Sequence, residues 1–514
     1  MKKEIRTKIT RLFFYLLFFL GLYLFLTYKL TEVPPGINLD EASIGYNAAL
    51  ISETLRDENK DLLPVFVLTL DGRDWKQPVT IYLTSFIFKI FGKSYFNLRL
   101  VSVLLAIVSG FIFLKFLRLF FSEALSVLGM IIFFSSPSVL IQSHLALENI
   151  AILPFFLLWL FFLASFFKKP QIYKVFLAGI FLGIDIYAYK GSRALVPIFL
   201  VASWFSLIGY SLLYYKNLED FKFKRKIYTI IWPVFCFSLG ILPFILPLKK
   251  LNTLYGGAVY DPGIVSFKFS SLYEPLLIYL SSFDASFLFI KGDSTLIHST
   301  GRHGMFLFPF FFLFFLGLFQ MARKKRKFYY FILVLLGCTP LLFTSINSIY
   351  RASRLMVYIP LFSFIFTLGV ESLFEIKNKF LKLMVLGLAV LIFAFFEKDF
   401  LNFYFNSYSK LVTQEFSPNF DLSFKKLTAL VSGRTNFSLY VEKGLFNHYK
   451  SEILFYKQIY FPNKEMKIWE RDKEKIPDKS VILTDISGSN ELYNIEEIPG
   501  FHLGQKTLYL VGEK

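Results

Sequence analysis

The feature that most constrains this chain is a series of long apolar runs, each close to the length of a bilayer-crossing helix, joined by short polar links that carry lysine and arginine. A helix crosses a hydrocarbon core about 30 Å thick with roughly 20 mostly apolar residues, and about eleven segments approach that length. They are predicted near residues 12–28, 98–120, 124–141, 150–167, 173–187, 194–214, 227–246, 305–319, 328–344, 355–374 and 380–396. The first run is followed by Thr27-Tyr28-Lys29-Leu30-Thr31 without a small-x-small cleavage pattern, so it reads as a retained anchor. The composition agrees: 55% of the 514 residues are hydrophobic and only 18% charged, a balance that argues strongly against a soluble enzyme. The net charge of +19 is spread in short blocks between apolar runs, which is how membrane proteins mark their cytoplasmic helix ends and is a poor fit to nucleic-acid binding. The two cysteines, Cys236 and Cys338, both lie inside apolar runs, which argues against a disulfide framework or a thiolate metal cluster.

Positive charge near helix ends is held on the cytoplasmic side. Lys2, Lys3, Arg6, Lys8 and Arg11 therefore put the N-terminus inside. Alternate crossings then place Lys115/Arg118, Lys168/Lys169/Lys174, Lys222 to Lys226, Arg323 to Lys327 and Lys377/Lys379/Lys382 inside as well. The opposite face receives the loop 29–97, the loop 247–302 and everything after Glu397. Charges inside the spans are nearly absent, Asp185 and Glu371 falling toward predicted helix ends, and no inverted pair of broken helices is visible; both facts weigh against a transporter.

After about residue 400 the chain becomes mixed in polarity, with period-two stretches at 480–485 and 507–511, a further strand near 436–440 and a helix over 447–458. The predicted organisation is a membrane module, 1–400, followed by a small extracytoplasmic α/β domain, 401–514. The loop 29–97 opens with Pro34-Pro35-Gly36-Ile37-Asn38-Leu39-Asp40-Glu41 and runs on to Tyr46, setting two carboxylates at a helix start, Asp40 near the N-cap and Glu41 in the first turn. The plainer reading of Asp40 is a helix cap. The loop continues through Arg73-Asp74-Trp75-Lys76-Gln77-Pro78, read as a turn, and an amphipathic stretch into Phe91-Gly92-Lys93-Ser94-Tyr95-Phe96-Asn97-Leu98-Arg99-Leu100.

On these residues the chain resembles the GT-C glycosyltransferases of the protein O-mannosyltransferase and aminoarabinose transferase superfamily, especially its bacterial members. Asp40-Glu41, the Asp74 to Pro78 turn and the Phe91 to Leu100 approach carry the resemblance. Weaker matches are Glu148, Tyr189 with Arg193, and Lys291-Gly292-Asp293 with His298. The resemblance implies a GT-C-like fold of about eleven membrane helices, N-terminus inside and C-terminus outside. It also implies a polyprenyl-phosphate-linked sugar donor and transfer with inversion to a protein, lipid or polysaccharide acceptor on the outer face. The residues point the same way independently. There is no Gly-rich phosphate loop, and the longest cytoplasmic link, about 215–226, is too short to hold a nucleotide-sugar domain.

Inverting transfer needs a carboxylate to take the acceptor's proton, and Asp40 is the candidate base; Glu41 is its acidic neighbour, a supporting group. Lys76, Arg193, Arg351 and Arg354 are candidate cations for the leaving phosphate, Lys76 matching the basic residue before proline in the family's turn. The arginines gain interest because the orientation rule disfavours cations on the outer face. The plainer reading of Lys76, Arg351 and Arg354 is interfacial anchoring. Asp74, Tyr46, Glu148, Tyr189 and Asp293 are substrate-site candidates. No cofactor is required by the sequence; a divalent metal on His144, Glu148 and His298 is an option, with hydrogen bonding near a helix start as the alternative for the first two. The Phe-rich run 306–319 reads as lipid-facing bulk. The expected protein is thus a glycosyltransferase of a bacterial plasma membrane, with membrane lipids as surroundings and no nucleic-acid partner. A lipid-linked sugar flippase or a non-catalytic envelope scaffold are the competing classes.

Overall fold

The computed structural model describes residues 2–216, 223–260, 271, 273–346, 349–434, 436–470, 479–485, 495–502 and 506–511. Parts of two predicted loops, 217–222 and 261–270, lie outside the described residues. Each of the predicted apolar segments contains helix, that at 305–319 only from Phe310. Among the described residues, five helices are long and apolar enough to cross a membrane: Tyr95–Leu117, Glu148–Lys168, Ser192–Leu212, Ile231–Leu254 and Lys379–Leu411. The segment predicted at 124–141 is broken into Glu123–Phe134 and Pro137–Ser143, bent by 63°, and counts as a sixth if the pair is one span. Pro137 disfavours helix in the residue before it, so the chain turns there. Lys327–Cys338 and Tyr358–Phe374 are helical but shorter than a full crossing.

The chain divides into two compact units, and neither is continuous in sequence. The first unit comprises Met1–Leu26, Ser102–Ser143 and Glu148–Leu401. Its helices meet at glycines. A Cβ on Gly179 would lie 2.2 Å from the Phe237 carbonyl oxygen and one on Gly240 2.3 Å from that of Phe176, so Ile172–Ala188 and Phe223–Ile245 approach at backbone contact. Gly317 and Gly369 do the same for Phe310–Lys324 and Tyr358–Phe374. Small residues at crossings are how helices associate where lipid supplies no hydrophobic drive between them. The run 306–319 divides: Phe312, Phe315 and Phe319 are exposed as lipid-facing residues should be, whereas Phe306 and Phe310 are buried.

The second unit comprises Thr27–Val101, His144–Leu147 and Asn402–Lys514, so the compact units cut the chain differently from a division at residue 400. Its helix Leu39–Thr54 packs against Pro78–Phe91 and Lys450–Tyr460. Gly45 makes the second contact possible, since a Cβ there would fall 2.7 Å from the Phe455 ring. A short hairpin, β1 (Val67–Thr69) and β2 (Asp74–Lys76), precedes Pro78–Phe91. The tail builds a five-stranded sheet from β3 (Ser438–Glu442), β4 (Met466–Trp469), β5 (Ser480–Thr484), β6 (Ile495–Ile498) and β7 (Leu508–Val511), in the order β4-β3-β5-β7-β6. β3 runs parallel to both neighbours, and β7 antiparallel to both of its own. One hydrophobic core joins this sheet to the first loop: Ala42, Ile44, Ala48 and Leu98 share it with Phe424, Ile453, Val441 and Leu483.

Candidate active site

The helix carrying the paired carboxylates is capped by Asn38, with Asp40 in its first turn near the cap, so the plainer reading of Asp40 as the cap itself does not hold. The Asn38 side chain accepts from the Asp40 backbone N–H at 2.7 Å, and the Glu41 carboxylate accepts the Asn38 N–H at 3.0 Å, a complete capping box. Asp40 is thereby released from any local duty. Its carboxylate receives the Lys76 ammonium at 2.5 Å, and Lys76 reaches Asp74 at 2.8 Å on its other side. The hairpin explains the geometry. Residues two apart in a strand share a face, so Asp74 and Lys76 project together from β2, where the sequence had suggested a turn. Pro78 then starts the next helix at a position where its missing N–H costs nothing. The Lys76 side chain is 6% exposed while that of Asp40 is 49% exposed, so the cation is sequestered and the carboxylate it holds remains open to a reactant.

Glu41 is in the opposite situation. It is fully buried and forms a bidentate pair with the equally buried Arg99, Nε to Oε1 at 2.9 Å and Nη2 to Oε2 at 3.0 Å. The Ala146 N–H adds a third donor at 2.8 Å. Arg99 spends its remaining donors on the carbonyls of Leu30, Pro34 and Gly36, and stacks over Tyr95. These bonds pin the loop that enters the Asp40 helix. Tyr46 is half-buried on the same helix, its hydroxyl pushed above the ordinary range by burial and then by the charge of Glu58.

One site residue was invisible in the sequence. Glu452, on Lys450–Tyr460, is 4% exposed, and its Oε2 has no hydrogen-bond partner. Burial, reinforced by the charge of Asp40 and opposed by its own backbone N–H, pushes its carboxyl up to about 7. Nothing in the stretch Lys450-Ser451-Glu452-Ile453 marks it out, because its burial comes from the packing of this helix on others, Leu39–Thr54 foremost.

The first unit gathers a second set. Asp293, its side chain fully buried, accepts from the Thr295 N–H and hydroxyl, both at 2.9 Å, and lies 3.7 Å from the Arg351 guanidinium. Tyr189 is fully buried, and burial pushes its hydroxyl up to about 12, with Arg354, Glu148, Asp293 and Arg351 as the surrounding charges. Five sequence-selected residues therefore share one electrostatic neighbourhood. Arg354 has a buried Nη1 without a hydrogen-bond partner, the feature expected of a cation that receives an anion. Arg193 instead donates to the carbonyls of Ala258, at 2.5 Å, and Val259, at 3.2 Å, and so closes a loop. His144 places Nδ1 2.8 Å from the Val33 carbonyl oxygen, and His298 places Nδ1 2.9 Å from Gln142 Nε2. Among the described residues no three His, Cys, Asp or Glu side chains form a group that could hold a metal ion, so His144, Glu148 and His298 are not assembled into one.

A family model described as dolichyl-phosphate-mannose-protein mannosyltransferase matches residues 76–216. The structure of ArnT from Cupriavidus metallidurans bound to undecaprenyl phosphate superposes with a TM-score of 0.54 at 10% identity, covering 96% of this chain and 97% of that one. The apo form of the same protein gives the same values. The oligosaccharyltransferase of Archaeoglobus fulgidus, tethered with an acceptor peptide, gives a TM-score of 0.49 at 11% identity over 91% of this chain and 65% of its own. No characterised protein matches the chain by sequence. The resemblance to GT-C glycosyltransferases drawn from Asp40-Glu41 and Asp74 to Pro78 is thus met by a sequence match beginning at Lys76 and by a helical, GT-C-like fold.

Proposed function

We propose that this chain is a membrane glycosyltransferase that moves a sugar from a polyprenyl-phosphate-linked donor to an acceptor hydroxyl with inversion. The observation that carries the reading is Asp40: relieved of capping by Asn38, half-exposed, and held in one orientation by a buried lysine. Asp40 takes the proton of the acceptor hydroxyl while that oxygen attacks the anomeric carbon, and the C–O bond to phosphate breaks on the opposite face. Lys76 holds the carboxylate in place, and Asp74 fixes Lys76. Arg354 and Arg351 are assigned to the phosphate of the donor, Arg354 because its buried Nη1 lacks a partner. Arg193 is the weaker phosphate candidate, since its guanidinium is already engaged by backbone. The undecaprenyl phosphate bound by the similarly folded ArnT supports a polyprenyl phosphate as the lipid carrier.

The proposed setting is a bacterial plasma membrane crossed about eleven times, N-terminus inside, with transfer on the outer face, supported by the distribution of basic blocks. The test uses the full chain in detergent, a panel of radiolabelled polyprenyl-phosphate sugars and a membrane extract as acceptor source. Wild type transfers label, and Asp40→Asn, folded to the same melting midpoint, loses on the order of 10²–10⁴ in rate. Equal transfer by the mutant would remove Asp40 as the base, and consumption of no donor by wild type would overturn the enzyme reading.

A further inference from the structure

A groove of about 1330 Å³ opens in the first unit among the helices Ile152–Lys168, Ser192–Lys216 and Lys327–Cys338. It is larger than the roughly 300–1,000 Å³ of sites for small molecules, and side chains such as Phe167, Val201, Phe205, Phe331 and Val334 give it apolar walls unsuited to a sugar. At one end stand four cations. Lys168 closes its helix, and Lys325, Arg326 and Lys327 form the link into the next one. Among the described residues none of the four has a carboxylate within ion-pairing distance, and Lys168 and Arg326 rest over the rings of Phe120 and Tyr329. Their neighbours differ: Arg323 pairs with Glu375 at 2.8 Å and Lys324 with Glu371 at 2.6 Å. The charge left uncompensated is the charge that faces the groove.

We infer that this groove holds an anionic glycerophospholipid, its phosphate on Lys168, Lys325, Arg326 and Lys327 and an acyl chain along the helix Ser192–Lys216. Charge complementarity selects the head, since each basic group near a membrane surface adds to the attraction for anionic lipid. Length suits the tail. From Pro197 to Tyr210 the groove follows its helix for about 20 Å at about 1.5 Å per residue, more than the roughly 15 Å of hydrocarbon in one leaflet. The cations assigned to the donor phosphate, Arg351 and Arg354, do not line it. The four lysines and arginines also belong to the blocks that mark the inner face, whereas transfer is proposed for the outer one, so the choice of a structural lipid over the donor rests on that orientation.

Full-length protein, delipidated in neutral detergent, is titrated with phosphatidylglycerol or phosphatidylcholine of identical acyl chains, and bound lipid is counted by native mass spectrometry. Phosphatidylglycerol is retained at least about ten-fold more tightly, and the variant Lys168→Gln/Lys325→Gln/Arg326→Gln/Lys327→Gln loses that preference. Gly209→Trp keeps all four charges and fills the groove from a position with nothing within 4 Å of an added Cβ; it abolishes retention and decides alone if the fourfold variant fails to fold. Equal retention of the two lipids, or binding unaffected by Gly209→Trp, overturns the inference. So does displacement of phosphatidylglycerol by equimolar undecaprenyl phosphate, which would make the groove a donor-lipid site. Labelling of Lys325→Cys from each side of sealed vesicles tests the orientation separately, so a wrong orientation is not mistaken for a missing lipid.

Discussion

Asp40 and Glu41 are adjacent in the chain and live in opposite surroundings. Asp40 is about half-exposed and shares one buried lysine with Asp74; Glu41 has no exposure and is saturated by Arg99 and two backbone N–H groups. A carboxylate can take a proton from a reactant only where the reactant can reach it, so the same dipeptide contains one group fitted for chemistry and one fitted for holding the loop. Two carboxylates at a helix start do not by themselves announce this division. Their separation along the helix does, because residues one apart point about 100° away from each other, one toward Lys76 and the other into the core.

After Asp40→Asn, the largest effect that sharpens this contrast is expected from Glu41→Gln. An amide cannot match the Arg99 fork at both oxygens, and the buried guanidinium is left with only carbonyls, at a cost of about 3–5 kcal/mol. The variant should melt well below wild type in detergent, whereas Asp40→Asn should not. Were Glu41→Gln to fold normally and lose transfer, the roles of the two residues would have to be exchanged.

Glu452→Gln probes the same environment from the tail. The carboxyl of Glu452 is raised from an ordinary value of 4.5 to about 7, so between those values the folded chain holds a proton that the unfolded chain has released. Stability contributed by this group is therefore full below about pH 4.5 and declines as pH rises through about 7, by something on the order of 3 kcal/mol. Glu452→Gln should flatten that decline and be the more stable protein at pH 8, read as the denaturation midpoint across pH 5 to 8. A steeper decline in the variant would mean that Glu452 is ionised and paired in the fold.

The sequence was legible where a property is local. Apolar runs announce helices whatever their neighbours do, and the alternation at 480–485 announces β5. Sequence alone leaves Asp40 open to reading as a cap, because Asn38 and Asp40 are both favoured cap residues and only the backbone decides which of them is extended. β4 and β6 were missed because each is four residues long, too short for a period to show. Arg99 looks like any cation at a helix start; its role depends on a carboxylate 58 residues away. Glu452 depends on contacts about 400 residues distant, which no pattern in its own segment encodes.

Asp74→Asn should act more weakly than either. Lys76 is buried, but Asp74 is partly exposed and Asp40 still holds the ammonium, so Asp74→Asn should cost about 1 kcal/mol, lower transfer by about five-fold or less and leave the melting midpoint near wild type. A loss as large as that of Asp40→Asn would make Asp74 a reacting group and break the asymmetry between the two carboxylates that share Lys76.

The smallest effect is expected at a third kind of carboxylate. Asp185, in the helix Ile172–Ala188, is 1% exposed, and its Oδ1 has no hydrogen-bond partner. It has neither the access of Asp40 nor the arginine of Glu41. A buried acid of this kind within a membrane helix is what a proton-coupled transporter would use, and it speaks for that class. A transferase acting through Asp40 has no need of it. Asp185→Asn preserves shape and hydrogen-bonding capacity, so sugar transfer should remain within about two-fold of wild type and stability should hold or rise, since the cost of burying a carboxyl is removed. Loss of transfer in a folded Asp185→Asn protein would show that movement of substrate across the membrane, rather than proton removal by Asp40, limits what this chain does.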